Sequence, residues 1–455
     1  MTTIITTSSV TAGTNINLAT GEDLYIAGGV TRASEDDFAV VAQFSGHAID
    51  IQGDLYGETA GLTLGGGDDL VTFSRVAIGP DGSVAGRLNG LVSRGDQVAI
   101  SNLGQVSGNT GLTHSGGGSF HLFNGGSIIG AYGLALYVDT SGGQVENTGT
   151  ISSAFGLAVR LANTAGTYGQ TASLINHGII TAGGTGVSGD NLNSDLIRNF
   201  GSITGDVVLR GRDDVVVNGG LIDGRVDLGD GNDLYRGDPG GVALLVSGGA
   251  GDDRLFGADS VDQLLGGDGQ DSIAGRGGDD LLDAGAGDDR VAGGDGDDVI
   301  VASAGRNTLL GGAGDDTITG GGHNDLLQGG TGDDVIMGDS GRDTLHGGDG
   351  ADILDGGGNV DRLVGGRGDD VLTGGGAADA FVFTRNGGDD RITDFTDGLD
   401  DLDLTAFGFA RVGDVRALAS DVTGGLLLDL TSVGGGTVLL EGFAKAQLTG
   451  DDMLL

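Results

Sequence analysis

Residues 293–301 read GGDGDDVIV, and this nine-residue pattern repeats without insertion from Gly248 to Val382. The stretch is 135 residues long and contains 15 nonapeptides, with Gly first in 13 of them and an apolar eighth residue in all 15. A repeat of fixed period predicts a solenoid, because each unit buries its apolar face only against its neighbours. The sixth position is Asp in 14 repeats, namely Asp253, Asp262, Asp271, Asp280, Asp289, Asp298, Asp316, Asp325, Asp334, Asp343, Asp352, Asp361, Asp370 and Asp379.

The constant positions predict short β-strands joined by tight turns. Glycine permits positive φ in a turn, and such a turn leaves backbone carbonyls pointing at a common centre. The apolar eighth position belongs to a strand with one side chain directed inward. If two nonapeptides form one coil, equivalent Asp residues stack at a strand spacing of about 4.8 Å.

The charge of these repeats predicts bound cations. The 135 residues contain 28 Asp, no Glu and 7 Arg, so their net charge is −21. Stacked carboxylates repel each other unless a cation lies between them. Carboxylate and carbonyl oxygens favour Ca²⁺ over Mg²⁺ or Zn²⁺, because Ca²⁺ accepts irregular oxygen coordination. We therefore predict several Ca²⁺ ions.

The pattern G-G-x-G-x-D-x-U-x, where U is apolar, resembles the RTX (repeats-in-toxin, hemolysin-type) family almost column for column. The resemblance implies a parallel β-roll that holds calcium between successive turns through the sixth-position Asp and the turn carbonyls. A solvated Gly-Asp linker is disfavoured, because 15 repeats keep one apolar column in register. Two turns depart from the pattern: ASAGRNTLL has Asn307 at the sixth position, and GADSVDQLL has Ser260 in place of Gly. We expect weaker or absent calcium at both.

Residues 383–455 resemble the segment that follows the repeats in family members exported by type I secretion. The final VLLEGFAKAQLTGDDMLL resembles their uncleaved C-terminal signal. The resemblance implies the type I secretion machinery as a partner and a secreted or cell-surface location on a Gram-negative bacterium. Without it, alternating apolar and acidic residues predict a strand-rich cap over the open edge of the roll. The residues on the family pattern are Phe381, Phe383, Asp390, Ile392, Asp394, Phe395, Gly398, Asp400, Asp403 and Leu404.

A second, looser period precedes the nonapeptide repeats. An apolar-x-Asn-x-Gly-x-[Ile/Val] motif recurs with spacings of 22, 23, 29, 23 and 19 residues. Strands separated by Asn/Gly turns suit a sandwich or a solenoid, and a recurring coil of about 22 residues favours a parallel β-helix. Asn tolerates left-handed corners, and its stacked side chains can form a ladder. The motif asparagines are Asn102, Asn124, Asn147, Asn176, Asn199 and Asn218.

Together these patterns predict an all-β chain: a capping segment (1–95), a parallel β-helix (96–240) that continues into the β-roll (248–382), and a β-rich cap with the secretion signal (383–455). Acidic Gly-Asp turns also occur before the array, in GRDDVVV at Gly211, LGDGNDLY at Leu228 and LGGGDDLV at Leu64. Two interpretations of these three turns remain open, a calcium site or a plain acidic turn.

Composition excludes several functions. The chain has 455 residues, 99 of them Gly, and its formal net charge of −43 excludes nucleic-acid binding through a basic surface. With no Cys it has neither disulfides nor zinc–thiolate sites. The chain contains no run of 18 apolar residues, so no membrane-spanning helix is predicted. The first basic residue is Arg32, so the N-terminus lacks a charged secretory n-region, and we expect either a cytoplasmic protein or export by another route.

Three functions compete. A non-catalytic secreted solenoid would fold on extracellular calcium and serve adhesion or matrix assembly, with a surface glycan or further copies of itself as partner. A polysaccharide-active epimerase or lyase is the alternative, because a β-helix followed by RTX repeats resembles the layout of alginate epimerases. Its candidate residues are Tyr132-Gly133 with Asp139, Arg160, His177 and Tyr168, although no Tyr-Gly-x-Asp-x-His motif is completed.

A toxin or protease is the weakest of the three. Acylated toxins need internal lysines, and the one lysine here is Lys445. No His-Glu-x-x-His motif of a metalloprotease occurs, nor a Ser in a G-x-S-x-G elbow. We therefore expect no catalytic residues and no enzymatic activity.

Overall fold

The computed structural model describes residues 2–5, 9–11, 16–18, 22–34, 38–42, 47–64, 74–94, 96–116, 118–140, 142–163 and 171–455. They divide into two compact units, Met1–Ser247 and Gly248–Leu455. The fold is all-β, as predicted. Within the described residues, helix is limited to α1 (Val412–Arg416) and the 3-10 turns Thr405–Phe407 and Thr431–Val433. None of these described helices has the length and apolarity needed to cross a membrane.

The first unit is a stack of parallel coils. Its strands are Thr2–Ile5 (β1), Ser9–Thr11 (β2), Ile16–Leu18 (β3), Asp23–Ile26 (β4), Thr31–Ser34 (β5), Phe38–Ala42 (β6), Ala48–Ile51 (β7), Asp54–Gly57 (β8), Ala60–Leu64 (β9), Ser74–Ile78 (β10), Ser83–Gly86 (β11), Asn89–Arg94 (β12), Gln97–Asn102 (β13), Gln105–Gly108 (β14), Thr110–Ser115 (β15), Ser119–Asn124 (β16), Ser127–Gly130 (β17), Leu134–Asp139 (β18), Gly143–Asn147 (β19), Thr150–Ser153 (β20), Leu157–Ala162 (β21), Thr171–Asn176 (β22), Ile179–Ser188 (β23), Ser194–Asn199 (β24), Ser202–Val208 (β25), Val215–Asn218 (β26), Leu221–Asp230 (β27), Leu234–Gly237 (β28) and Val242–Ala250 (β29).

The coils change from three strands to two along the first unit. Each of β13, β14 and β15 pairs in parallel with the strand three places later, β16, β17 and β18. Strand β23 pairs with both β20 and β21, so one long strand replaces two short ones. From there the partner lies two places later, as in β22 with β24 and β23 with β25. This change explains why the Asn spacing ends at 19 residues.

The motif asparagines form the predicted ladder through the first unit. All six are fully buried, and each of the first five donates its side-chain amide to the next. The Nδ2 of Asn124 donates to Oδ1 of Asn147 at 2.7 Å, and Nδ2 of Asn147 donates to Oδ1 of Asn176 at 2.7 Å. The other links span 2.8 to 2.9 Å. Because an amide both donates and accepts, consecutive Asn side chains satisfy each other without any added ligand.

The segment expected as a separate cap, 1–95, is built from the same coils. Strand β1 pairs with β4, β4 with β7, β7 with β10 and β10 with β13, all in parallel. The stacking therefore begins well before residue 96, although the loops between these strands vary too much to give a regular sequence period. In the turn LGGGDDLV, residues 65–71 lie outside the described residues.

The second unit is a two-sheet roll followed by a cap. Its strands are Arg254–Phe256 (β30), Gln263–Asp268 (β31), Ser272–Gly277 (β32), Leu281–Ala286 (β33), Arg290–Asp295 (β34), Val299–Val301 (β35), Thr308–Ala313 (β36), Thr317–Thr319 (β37), Leu326–Thr331 (β38), Val335–Met337 (β39), Thr344–Asp349 (β40), Ile353–Asp355 (β41), Arg362–Arg367 (β42), Val371–Thr373 (β43), Ala380–Val382 (β44), Asp390–Ile392 (β45), Asp401–Asp403 (β46), Ala419–Val422 (β47), Gly425–Asp429 (β48), Thr437–Glu441 (β49) and Met453–Leu454 (β50).

Strands of the roll pair with the next strand but one. For example, β34 pairs in parallel with β36 and β35 with β37, so two nonapeptides form one coil, as predicted. The eighth-position side chains, such as Ile300 and Leu309, are fully buried between the two sheets. In the cap, β47, β48 and β49 form an antiparallel sheet, and β49 pairs with β45 of the roll.

Breaking the asparagine ladder should destabilise the first unit. Asn147→Ala removes the acceptor of one buried amide and the donor to another, so we expect the free energy of unfolding to fall by about 2 kcal/mol. Urea unfolding in saturating calcium measures it. Gln144→Ala, at an exposed position of the same strand β19, is the control and should change stability by less than about 0.5 kcal/mol. Equal effects of the two substitutions would contradict the role of the ladder.

Candidate metal centres

The turns of the roll lie along two edges. Edge 1 comprises the turns that lead into the sheet of β32 and β34, and edge 2 comprises those that lead into the sheet of β33 and β35. Equivalent residues along one edge are 18 positions apart, as in the register of Ile273 with Val291. The sixth positions of edge 1 are Asp253, Asp271, Asp289, Asn307, Asp325, Asp343, Asp361 and Asp379. Those of edge 2 are Asp262, Asp280, Asp298, Asp316, Asp334, Asp352 and Asp370.

One carboxylate oxygen of each stacked Asp is used by the backbone. Oδ1 of Asp298 accepts a hydrogen bond from the N–H of Asp280 at 2.8 Å, and Oδ1 of Asp316 accepts one from Asp298 at 2.8 Å. This pattern continues beyond the nonapeptides, where Oδ1 of Asp390 and of Asp400 accept bonds from the preceding coil at 3.1 and 2.9 Å. The nonapeptide count missed these two residues, because their spacing rises to 20 and 21. Their position on the family pattern was the available signal.

The other carboxylate oxygen, Oδ2, is buried and accepts no hydrogen bond along most of both edges. A buried carboxylate oxygen without a partner is strongly unfavourable, so this set of atoms indicates cation-binding sites. The residues with this arrangement include Asp271, Asp280, Asp289, Asp298, Asp316, Asp325, Asp334, Asp343, Asp352, Asp361, Asp370 and Asp379.

The first glycine of each turn leaves room beside this oxygen. A Cβ on Gly293 would collide with Oδ2 of Asp298 and lie 2.7 Å from the carbonyl oxygen of Gly311, in the next coil. The carboxylate and that carbonyl therefore border one small space. A side chain at position 293 would fill this space.

Asn307 reveals which atoms face the free oxygen. Its Nδ2, in the place of Oδ2, donates to the carbonyl oxygens of Gly305 at 3.2 Å and Gly320 at 3.3 Å. One carbonyl belongs to the same turn and the other to the next coil. At an Asp turn, equivalent carbonyls would face a carboxylate oxygen, and a cation is needed to bring these oxygens together. The N–H donors of Asn307 replace that cation.

These donor atoms fit calcium. Among the described residues, no group of three or more His, Cys, Asp or Glu side chains is arranged to hold a metal. The carboxylate and backbone carbonyl oxygens that border each space offer the all-oxygen coordination that Ca²⁺ accepts and Zn²⁺ does not favour.

The second irregular turn, 257–262, also satisfies its own oxygens. Oδ2 of Asp262 accepts a hydrogen bond from the N–H of Ala258 at 2.7 Å. The guanidinium of Arg276 donates to the carbonyl of Gly257 at 2.9 Å. Burial raises the pKa of Asp262, and the Ala258 N–H and the Arg276 charge oppose this shift only in part. The weaker calcium binding expected at this turn and at Asn307 remains a prediction, and both geometries agree with it.

The two edges differ, which the sequence analysis did not anticipate. From residue 302 onward, several edge-1 turns place a side chain where glycine is usual, with φ of 78° at His323, 79° at Asn359 and 100° at Ala377. The strands that enter these turns, such as β37, have three residues, whereas those that enter edge-2 turns, such as β38, have six. Edge 2 therefore keeps the regular turn from Gly293 onward.

Burial raises the pKa of the stacked carboxyls. The pKa is about 7 at Asp280, Asp334 and Asp370, and about 6 at Asp316 and Asp352, because desolvation disfavours their charged forms. The backbone hydrogen bond to each carboxylate opposes this shift only in part. In the absence of metal, a fraction of these carboxyls is therefore protonated near neutral pH.

Among the described residues, those expected for a polysaccharide-active site make separate contacts. Tyr132 is exposed and stacks on Phe155 with ring centroids 6.3 Å apart, and His177 stacks on Phe200 at 5.1 Å. Tyr168 lies outside the described residues.

Asp139 and Arg160 do lie near one another, around a tyrosine that the sequence analysis missed. Asp139 accepts a hydrogen bond from the Tyr137 hydroxyl at 3.2 Å, and Arg160 is opposite Tyr137 in the register of β18 and β21.

A comparison with protein-family models finds the RTX calcium-binding nonapeptide repeat (4 copies) in several overlapping matches. They cover residues 245–273, 265–300, 274–309, 292–327, 301–336, 328–363 and 355–383. A search of curated proteins finds no match.

Replacing Asn307, the one sixth-position residue of the roll that is not Asp, should add a calcium ligand. Asn307→Asp removes the amide donor and places a carboxylate oxygen beside the carbonyls of Gly305 and Gly320. We expect isothermal titration calorimetry to show about one additional Ca²⁺ ion. The control, Asn324→Asp, adds the same charge at an exposed position of the neighbouring coil and should leave the stoichiometry unchanged. An unchanged count in Asn307→Asp would contradict the assignment of the site.

Acid should substitute in part for calcium. Because the folded pKa of these carboxyls lies above the unfolded value, the folded metal-free roll binds more protons, and its stability is lost as pH rises through about 6–7. We expect calorimetry of the calcium-stripped protein to show a larger unfolding transition at pH 5 than at pH 7.5. Calcium should restore the transition at pH 7.5, with release of protons. A transition that grows with pH in stripped protein would contradict this sign.

Proposed function

We propose that this chain, whose residues 245–383 match the RTX calcium-binding nonapeptide repeat, is secreted and folds on extracellular calcium. Outside the cell it serves a structural or adhesive role at the surface or in the matrix. The observation that carries this proposal is the row of buried Oδ2 atoms without hydrogen-bond partners. A roll with this feature is costly to fold without cations and stable with them.

The expected affinities suit an extracellular switch. Extracellular calcium modules bind with Kd of about 10⁻⁴–10⁻³ M, far above cytoplasmic calcium. At millimolar calcium each such site stabilises the fold by only about 1 kcal/mol, but the contributions of stacked coils add. Many weak sites in one solenoid thus give a fold that depends sharply on calcium.

The position of the C-terminal residues supports export before folding. The N–H groups of Leu402 and Leu404 donate to the carbonyls of Asp452 and Leu454, both at 2.9 Å. Asp452 is fully buried, and its Oδ1 accepts a hydrogen bond from Gly398 at 2.8 Å. A folded second unit therefore holds the proposed secretion signal within its cap. The secretion machinery would reach that signal in the unfolded, calcium-free chain.

We also propose that the protein is not an enzyme. A uronate lyase or epimerase needs a group that abstracts a proton near neutral pH. Burial and the neighbouring Asp139 raise the pKa of Tyr137, which keeps its hydroxyl protonated and makes it a poor base.

A polysaccharide-active function is the second candidate because of a groove on the outer face of β16, β19, β22 and β24. The groove has a volume of about 350 Å³, and its lining includes His121, Glu146 and Arg198. An acid, a base and a cation on neighbouring strands are the groups that such chemistry uses. Double-bond formation or epimerisation on alginate or pectate, lost in Glu146→Gln, would favour this function over the first.

Location on intact cells tests the proposed function. We expect the full-length protein outside the cell, resistant to added protease in millimolar calcium and degraded after addition of chelator. A chain that lacks residues 437–455 should remain inside. As a control, Asp451→Asn changes an exposed residue of the same segment and should leave export unchanged. A folded cytoplasmic protein, or export of the truncated chain, would contradict the proposal.

A further inference from the structure

The acidic turns of the first unit reproduce the geometry of the roll, outside the residues that match the repeat family. The turns are 189–195 (GDNLNSD), 209–214 (LRGRDD) and 228–233 (LGDGND). The N–H of Asp195 donates to Oδ1 of Asp214 at 2.6 Å, and the N–H of Asp214 donates to Oδ1 of Asp233 at 2.7 Å. The same hydrogen bonds from backbone N–H to Asp Oδ1 connect successive coils of the roll. Their spacing is 18 residues in the roll and 19 residues here.

Two of these carboxylates have buried oxygens without partners. Asp195 and Asp214 are each 1% exposed. Neither oxygen of Asp195 accepts a hydrogen bond of good geometry, and Oδ2 of Asp214 accepts none. These side chains are therefore not the surface carboxylates of a plain acidic turn.

The free oxygens of Asp195 border the same kind of space as in the roll. A Cβ on Gly189 would collide with Oδ2 of Asp195 and lie 2.9 Å from the carbonyl oxygen of Leu209, in the next coil. In the roll, Gly293 has the same relation to Asp298 and to the carbonyl of Gly311. The first unit thus places a carboxylate and a carbonyl of the following coil around one glycine.

Burial disfavours the charged form of both carboxyl groups that border this space. Desolvation raises the pKa of Asp195 to about 8 and that of Asp214 to about 9. The charge of the nearby Asp190 adds to the shift at Asp195, while its backbone N–H opposes it. A bound cation would remove this cost, because it replaces the water that both carboxylates lose on burial.

We propose that Asp195 and Asp214 bind Ca²⁺ in the first unit, together with the carbonyl oxygen of Leu209. The ligands are all oxygen, which suits Ca²⁺ and not a thiolate- or imidazole-binding metal. The site extends calcium dependence to the last coils of the first unit. It rests on residues of this unit alone, so it can hold or fail independently of the roll.

Hydrogen–deuterium exchange of the full-length protein tests the site, with CaCl₂, MgCl₂ or EGTA as the added probe. We expect calcium, but not magnesium, to slow exchange in peptides that cover residues 189–214 by at least about tenfold. Peptides from the asparagine ladder, such as 119–147, should exchange equally in all three conditions. Full protection of 189–214 in EGTA would overturn the proposal.

Substitutions separate a direct site from stabilisation transmitted along the chain. Asp214→Asn keeps the Oδ1 acceptor, as Asn307 does in the roll, and removes the free carboxylate oxygen. It should raise the calcium concentration for half-protection of 189–214 by at least about tenfold, because the charge of the ligands sets affinity. Asp230→Asn, an exposed carboxylate in the next turn, is the matched control and should leave this midpoint unchanged. Asp195→Asn provides a second variant of the same site.

Each outcome distinguishes this site from those of the roll. If the midpoint for 189–214 is the same in both site variants and in wild type, the proposal is wrong, whatever the roll does. If peptides 293–352 gain no protection with calcium while 189–214 does, the first-unit site stands and calcium-dependent folding of the roll fails.

Discussion

A carboxylate oxygen that is buried beside carbonyl oxygens and accepts no hydrogen bond is the feature on which the second unit depends. The turn geometry creates it, since one oxygen of each Asp caps the backbone of the preceding coil and the other faces inward. No protein group along the regular turns compensates the inward oxygen. The sequence therefore encodes a fold that requires bound ions, and the ion concentration becomes a condition for folding.

The two units solve one structural problem with different chemistry. Both stack short polar side chains at the corners of successive coils, in the first unit from Asn102 to Asn218. In the first unit this residue is Asn. Its amide both donates and accepts, so consecutive Asn side chains hydrogen-bond to each other. In the second unit it is Asp, which only accepts, so the ladder needs cations. Asn307 shows the two solutions side by side, because its amide donates to the carbonyls that a cation would otherwise bind.

Regular repetition decided how much of the fold could be predicted from the sequence. The nonapeptide period is strict, so the two-sheet roll, its buried eighth position and its stacked Asp residues followed directly. The coils of residues 1–95 did not, because parallel stacking constrains the strands and leaves loop length free. The replacement of two short strands by the long strand β23 could not be predicted either, since a 10-residue strand and two short strands have similar composition.

The candidate sites were predictable at the level of residue type but not of individual atoms. The sequence identified the sixth-position Asp, yet only the structure shows that Oδ1 is occupied and Oδ2 is free. The difference between the two edges was present in the sequence, in the side chains of His323, Asn359 and Ala377. The difference between the edges is apparent only when alternate repeats are placed on opposite edges of the roll. The buried state of Asp195 and Asp214 depends on the coils above and below, which no local pattern reports.

The most direct test of calcium-dependent folding is far-UV circular dichroism of the full-length protein during a calcium titration at pH 7.5. The account predicts a partly unfolded spectrum in chelator and a cooperative gain of β-sheet signal between about 0.1 and 1 mM calcium, with no equivalent gain in magnesium. A spectrum with the full β-sheet signal in chelator, unchanged by calcium, would contradict it.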